Sequence, residues 1–370
     1  MTNLEASFTL SAIGICVTVD MAVGHISRFE VSQGGRMLSP FHRAPWTSET
    51  LAADIPDHLR HLSIDFFCAP FGLSDVEPAP AHGWPANAPW TLQGVEHLPD
   101  GMRAQFTLSQ KVLSATLTKT LTVRDHHPFL YQSHLFVGGD GRMPVAYHAV
   151  VDLPNGGLVS VSPKIRAETM GEPLETDPSR GRSILAYPAA STDLGRFPRA
   201  DGGLSDLLRY PLDEQHVDLV MLHEQPANPI GWTVAARPVE RDMALVLKPS
   251  NVLPSTVLWY SNGGRFYEPW SGRHRGVLGV EEAATFFGYG HQASIAPNTL
   301  SQAGIATSIP VNGAEIKSVI GACDLVGDGV MHAITCDENS LLLVSSEGMT
   351  HQLAFDGQFL TQDTSPQTLL

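Results

Sequence analysis

Charged side chains are scarce in this chain, and most of those present are acidic. Only 16% of the 370 residues are charged, and 38 acidic against 23 basic residues give a formal net charge of −15. Such a surface repels phosphate backbones and anionic lipid headgroups within a Debye length, roughly 8 Å at physiological salt. We therefore expect neither nucleic acid nor a membrane as a partner.

Cysteines and long apolar runs are also few. The four cysteines are far apart and show neither CxxC nor Cys/His metal spacing. The apolar stretch at residues 8–23 contains Asp20, has no basic region before it and is too short to span a bilayer. These features predict buried, reduced thiols, no metal site and a soluble, cytoplasmic protein.

Long amphipathic helices are missing, which excludes doubly wound α/β folds and TIM barrels. The best helical candidate is the short stretch 205–209, which Pro211 would end soon afterwards. The 33 glycines and 27 prolines are spread along the chain, as is typical of short strands joined by turns. We predict an all-β fold, a large antiparallel β-sandwich with few short helices.

The clearest strand signal lies at residues 116–123. Threonines occupy the even positions there, whereas Leu117, Leu121 and Val123 share the other face. A second apolar run covers residues 129–137, and a third covers residues 143–153 after a glycine-rich turn. Together the three runs predict an antiparallel meander.

The C-terminal part contains three further turn signals, Asn312-Gly313, Glu347-Gly348 and Asp356-Gly357, each between apolar or alternating runs. They predict several hairpins in succession. No linker or fixed repeat marks a domain boundary, so residues 1–370 are interpreted as one domain with residues 310–370 as a hairpin extension packed on it. The extension has three open roles: completing the sandwich, covering a sheet edge, or docking on a second subunit in a homodimer.

Three segments gather His, Glu, Trp, Gly and Pro beside strand-like runs. In the first, His82-Gly83 is followed by Trp90; in the second, His148 precedes Asp152-Leu-Pro; in the third, Glu281 follows Gly-Val. In this order and spacing the segments resemble those of the galactose mutarotase-like, or aldose 1-epimerase, superfamily. The resemblance covers roughly residues 10–310.

The resemblance implies a β-sandwich that interconverts the anomers of a free aldose without a metal or an organic cofactor. It implies Glu281 as the general base, His148 as the general acid and His82 as a sugar-binding residue. Trp84 and Asn87 lie in the same segment as His82 and are expected to contact the sugar.

Two family positions have no direct counterpart. The usual sugar-binding arginine is absent from residues 68–72, and Arg43 is the candidate replacement from another loop. Asp218 is the candidate for the aspartate with which the family reads sugar hydroxyls. Glu282 stands where the family has a proline after the base.

The chemistry itself explains these residue types. Anomer exchange removes a proton from the C1 hydroxyl and delivers one to the ring oxygen, so that the ring opens and recloses. A carboxylate with a raised pKa suits the first transfer, and imidazole suits the second. Adjacent residues of a strand point to opposite faces, so only one of Glu281 and Glu282 can face the site, and Glu281 is favoured.

Two alternative functions are open at this point. One is a carbohydrate-binding module that keeps the cleft without catalysis. The other is a phosphosugar epimerase that holds a phosphate with Arg265, Arg273, His274 and Arg275. A dinucleotide fingerprint, a zinc-protease helix and a nucleophile elbow are all absent from the sequence.

Overall fold

The computed structural model describes residues 6–361, and these are built mainly from antiparallel strands. The helices are α1 (Asp57–Arg60), a 3-10 turn (Trp84–Ala86), α2 (Gly290–Ile295), α3 (Thr299–Gln302) and α4 (Gln358–Thr361). The first strands are β1 (Ser7–Ala12), β2 (Ile15–Asp20), β3 (Ile26–Gln33), β4 (Arg36–Leu38), β5 (Phe67–Cys68), β6 (Trp90–Leu98), β7 (Gly101–Leu108), β8 (Thr116–Arg124), β9 (Phe129–Val137), β10 (Arg142–Met143), β11 (Val145–Asp152), β12 (Gly157–Val161) and β13 (Lys164–Glu168). The later strands are β14 (Ala190–Ser191), β15 (Phe197–Pro198), β16 (Leu204–Ser205), β17 (Arg209–Tyr210), β18 (His216–Glu224), β19 (Ile230–Arg237), β20 (Asp242–Pro249), β21 (Ser255–Asn262), β22 (Val277–Ala284), β23 (Ile309–Pro310), β24 (Glu315–Asp324), β25 (Met331–Cys336), β26 (Ser340–Ser345) and β27 (Thr350–Ala354). None of the helices within residues 6–361 has the length and apolar character needed to cross a bilayer.

Two large antiparallel sheets face each other. The seven-stranded sheet has the order β14-β13-β18-β21-β22-β11-β5, and the nine-stranded sheet has the order β17-β12-β19-β20-β24-β9-β8-β7-β6. One core joins their inner faces, with Tyr147 and Leu258 of the first sheet beside Leu121 and Ile320 of the second. The predicted all-β antiparallel sandwich with few short helices is therefore confirmed.

Each large sheet is also covered on its outer face. Loop residues such as Trp46 and Trp270 pack on the seven-stranded sheet. The C-terminal sheet β25–β27 packs Leu343 and Phe355 on the nine-stranded sheet. Because both faces are dry, every residue of β18, β20 and β22 is buried, and apolar side chains occupy both faces of these strands.

Strand β8 confirms the alternating pattern of residues 116–123. Leu117, Leu121 and Val123 are fully buried on one face. Lys119 shares that face and is also buried, donating to the Gly24 carbonyl and lying 4.6 Å from the centroid of the Trp90 ring. Burial lowers the pKa of Lys119 to about 7.

The predicted three-strand meander is wrong in its third strand. Strands β8 and β9 pair as expected, but β11 lies in the other sheet between β22 and β5. Both edges of β9 are already occupied by β8 and β24, so the chain has to leave this sheet. The glycine-rich turn at residues 138–141 makes that crossing, with positive φ at its three glycines.

The short helix predicted at residues 205–209 is also wrong. Ser205 ends β16, and Arg209 begins β17, which pairs with β12. The carboxylate of Asp206 accepts the backbone N–H of Leu208 at 2.9 Å, which makes a local turn instead of a helical one.

The three C-terminal turn signals have different outcomes. Glu347-Gly348 joins the paired strands β26 and β27, as predicted. Asn312-Gly313 links β23 to β24, which pair with different strands, and Asp356-Gly357 leads into α4. Residues 362–370 of the predicted extension lie outside the described residues.

A buried ionic cluster links the two large sheets. Lys248 on β20 contacts Glu282 on β22, and Glu282 also accepts the hydroxyl of Thr256 at 2.7 Å. Lys164 contacts Glu224 in the same cluster, and Lys248 lies 3.4 Å from Glu224. Two cations and two anions therefore compensate one another in a region that water does not reach.

We predict that Glu282→Gln lowers the free energy of unfolding by about 3 kcal/mol, because it leaves the buried Lys248 ammonium without its nearest counter-charge. Urea unfolding followed by circular dichroism measures the change. Glu30→Gln, which breaks the surface pair with Arg28, is the matched control and should leave the unfolding midpoint nearly unchanged. An equally small effect of both substitutions would contradict a stabilising role for the cluster.

Candidate active site

Glu281 and His148 stand directly opposite each other on the adjacent strands β22 and β11. Their side chains project from the outer face of the seven-stranded sheet, where His148 Nε2 lies 3.1 Å from Glu281 Oε1. His148 is 5% exposed and Glu281 is 3% exposed, so the pair is screened from bulk water. Antiparallel register alone brings together two residues that are 133 positions apart.

His82 approaches the same pair from a loop. Its ring centroid lies 5.8 Å from that of His148, and its Nδ1 lies 3.4 Å from the Cys68 sulfur. The next residue, Gly83, packs so closely that a Cβ there would lie 1.8 Å from the Ala69 carbonyl oxygen. The His-Gly pair in the sequence therefore reflects a tight backbone approach that delivers His82 to the site.

Asn87 holds this loop in place. Its Oδ1 accepts the backbone N–H of His58 at 2.9 Å and lies 3.0 Å from His58 Nδ1. Its Nδ2 donates to the carbonyl oxygens of Ala81 and Gly83. Asn87, predicted to contact the sugar, thus uses its amide to position the His82 loop and to hold His58, whose ring centroid is 4.9 Å from that of His82.

Phe66 fixes the orientation of His148. The two rings stack with centroids 4.4 Å apart, and the other neighbour of Phe66, His25, stacks with it at 4.3 Å. The backbone N–H of His148 also donates to the buried carboxylate of Asp65 at 3.0 Å. The imidazole is therefore held by packing and by its own strand before any ligand binds.

A guanidinium and two indoles complete the cluster. Arg265 places its guanidinium carbon 4.5 Å from the centroid of the Trp270 ring and 5.9 Å from that of Trp259. Trp259 in turn stacks on His274 at 5.2 Å and meets His148 edge-on at 5.7 Å. The charge of Arg265 acts on Glu281, so the site contains a cation that favours the ionised carboxylate.

Four buried polar atoms of this cluster lack a hydrogen-bond partner among the described residues. They are Arg265 Nε, Trp259 Nε1, His274 Nε2 and His148 Nδ1. Buried polar groups are nearly always hydrogen-bonded in folded proteins, so we expect water or a polar ligand to contact these four atoms.

The electrostatics of the pair favour its neutral form. Burial raises the pKa of Glu281 well above its usual value, although the charge of Arg265 opposes this shift. Burial lowers the pKa of His148 to about 3. Both shifts favour a neutral carboxyl group beside a neutral imidazole. Within residues 6–361, no three His, Cys, Asp or Glu side chains are arranged to hold a metal ion.

Three residues predicted as sugar contacts lie elsewhere. Asp218 points to the inner face of the sheet, where it accepts the backbone N–H groups of Ile184 and Leu185 and lies 2.7 Å from His216 Nδ1. It therefore anchors a loop on the opposite side of the sheet from Glu281. Arg43 is exposed on a segment that follows β4. Trp84 is half-buried against the inter-sheet core.

The residues proposed to hold a phosphate do not converge. Arg273 makes a bidentate ion pair with Glu49, at 2.7 and 2.8 Å. Arg275 is exposed and donates to the Gly272 carbonyl. Of the four, only Arg265 and His274 reach the cluster around Glu281. A phosphate cradle built from all four is therefore not formed.

Solved structures resemble this chain, whereas no family model and no curated protein sequence matches it. A candidate aldose 1-epimerase of Escherichia coli aligns with a TM-score of 0.55 at 12% identity, over 86% of this chain and 99% of its own. A galactose mutarotase related enzyme of Lactobacillus acidophilus aligns with a TM-score of 0.52 at 11% identity, over 86% and 97%. A candidate mutarotase of Salmonella typhimurium aligns with a TM-score of 0.52 at 12% identity, over 86% of this chain and 90% of its own.

These neighbours share a β-sandwich architecture with the chain over most of its length. The structural alignments establish the fold, whereas identities of only 11–12% leave the reaction and the substrate open. The chain therefore has the galactose mutarotase-like fold that its sequence segments resemble.

The low pKa of His148 predicts a measurable link between stability and pH. Between about pH 6.5, the pKa of the unfolded imidazole, and pH 3, the unfolded chain binds a proton at His148 that the folded chain does not. The contribution of His148 to the free energy of unfolding therefore falls as the pH falls through this window. His148→Gln should make that slope shallower by about 1.4 kcal/mol per pH unit.

Urea unfolding at several pH values across this window measures the slope. His97→Gln, at an exposed histidine of β6, is the control and should leave it unchanged. An identical slope in the wild type and in His148→Gln would show that His148 is as easily protonated in the folded protein as in water.

Proposed function

We propose that this protein is an aldose 1-epimerase-like enzyme in which Glu281 and His148 transfer protons to and from an aldose ring. The observation that carries the proposal is the 3.1 Å contact between the two side chains on a sheet face lined with unpartnered polar atoms. The likeness of the fold to mutarotase-related structures supports it.

The resting proton of the pair is the one that the reaction needs. Transfer from Glu281 to His148 gives a carboxylate base and an imidazolium acid without changing the net charge of the site. Arg265 favours this charged form because it stabilises the carboxylate. The carboxylate then removes the C1 hydroxyl proton while the imidazolium protonates the ring oxygen, and the ring opens to an aldehyde.

Ring opening leaves Glu281 protonated and His148 neutral, which is the resting form of the pair. Rotation about the C1–C2 bond exposes the other face of the aldehyde, and the same two transfers in reverse close the ring to the other anomer. No proton is exchanged with solvent in this cycle. His82, Arg265, Trp259 and His274 would supply the hydrogen bonds that hold the sugar beside the pair.

A second candidate is a sugar-binding protein without turnover. It is favoured by the direct contact between Glu281 and His148, which leaves no gap for a ring between them. An epimerase therefore has to part the pair, or hold the sugar at its side, whereas a binding protein needs neither.

Polarimetry on freshly dissolved α-aldoses decides between the two. The wild type should accelerate mutarotation, and Glu281→Gln and His148→Gln should each lower the rate by at least about a hundredfold, since each removes one proton-transfer group. His97→Gln is the control and should keep full activity. A rate that the wild type leaves unchanged across the sugar panel, with calorimetric binding retained, would replace the epimerase by the binding protein.

Arg265 should tune the base. Because its charge lowers the pKa of Glu281, Arg265→Met should raise that pKa and move the alkaline limb of the pH-rate profile, where the pair loses its resting proton, to higher pH. Arg265→Lys keeps the charge and should keep the limb close to its wild-type position. An alkaline limb at the same pH in all three proteins would remove Arg265 from the electrostatics of the reaction.

A further inference from the structure

A cavity of about 290 Å³ lies on the outer face of the seven-stranded sheet, the face that also bears Glu281. Leu219 and Met221 of β18 form its floor. Phe286 and Phe287 form one wall, and the exposed Ala190 stands at its mouth. None of the motifs singled out in the sequence includes these residues.

Strand register connects the cavity to the pair. His148 stands opposite Glu281, Glu281 opposite Val257, and Val257 opposite Met221, so the four side chains form one row across four strands. With strands about 4.8 Å apart, Met221 lies about 10 Å from Glu281 along this row. The cavity is therefore within the length of a single small molecule from the pair.

Aromatic contacts join the same two places. Phe287 lines the cavity and stacks on Phe71 with ring centroids 5.0 Å apart. Phe71 in turn contacts the ring of His82 at 5.5 Å. In the floor, Leu219 stands opposite Trp259, whose Nε1 is one of the unpartnered polar atoms. A continuous layer of packed side chains thus joins the cavity to the polar cluster.

The chemistry of the cavity is apolar. Among the described residues that line it, Glu168 is the only charged one, and Arg166 and His223 already flank its carboxylate at 2.8 and 3.2 Å. Methionine, leucine and phenylalanine make up the floor and wall. A dry cavity of about 150 Å³ is enough to hold a benzene ring, so this one has room for a ring with a short linker.

We propose that this cavity binds an apolar group, an aryl ring or a short alkyl chain, of the ligand whose polar end reaches Glu281. This proposal extends the proposed function and rests on it for the statement that the polar end of the ligand is a sugar bound at Glu281. It makes the substrate an aldose with a free anomeric hydroxyl and an apolar substituent on the opposite side of the ring.

The test compares D-glucose with 4-O-benzyl-D-glucose, and benzyl alcohol serves as a probe that needs no turnover. Calorimetry should show the benzyl sugar bound at least about tenfold more tightly than glucose, because the phenyl ring leaves water. Ala190→Trp, which fills the mouth without entering the core, should remove this gain and weaken benzyl alcohol binding. Thr91→Trp, on the exposed edge strand β6, is the matched control and should change neither.

Equal affinities for the two sugars, or benzyl alcohol binding that Ala190→Trp does not weaken, would overturn the assignment of the cavity. Mutarotation measured on the same sugars is a separate readout. If neither sugar is epimerised while the benzyl group still binds in a manner sensitive to Ala190→Trp, the epimerase fails and the apolar binding site stands.

Discussion

The contact between His148 and Glu281 depends on the register of two neighbouring strands. Side chains alternate along a strand, so a slip of one residue between β11 and β22 would turn Glu281 inward and bring Glu282 to the outer face. The buried cluster of Glu282 with Lys248 opposes such a slip, because the ammonium would lose its counter-charge. Two adjacent glutamates thus have separate tasks: one locks the strand between the sheets, and the other is carried into the site.

The same burial that protects the pair also sets its proton. Removing a carboxyl and an imidazole from water penalises the charged form of both, so burial favours a neutral carboxyl group beside a neutral imidazole. Ionisation of the pair then requires a compensating charge, which Arg265 supplies. It also requires polar partners, and the unpartnered polar atoms around Glu281 are placed to bind a ligand that provides them. We therefore expect a polar ligand to shift a proton from Glu281 to His148 without adding one to the site.

How much of this was predictable depended on where each residue lies. Strands β8 and β9 follow from local alternation and apolar runs, and Glu281, His148 and His82 stand in segments with a family-like order. Phe66 and His58 carried no comparable signal, because their contacts depend on how distant loops fold over the sheet. Asp218 was predicted as a sugar contact although it faces the inside of the sandwich. Alternation shows which residues of β18 share a face with Asp218, but not which face of the sheet bears the site.

Loops rather than strands decide what this sheet face can bind. The strands supply Glu281, His148 and the row that ends at Met221, and strand register sets these positions. The cover comes from segments around Trp46, Phe71, Arg265 and Phe287, which are far apart in the chain and meet only over the sheet. Arg265 comes from such a loop, and its charge acts on Glu281 from outside the sheet. The strands therefore fix where Glu281 and His148 lie, and the loops fix which side chains surround them.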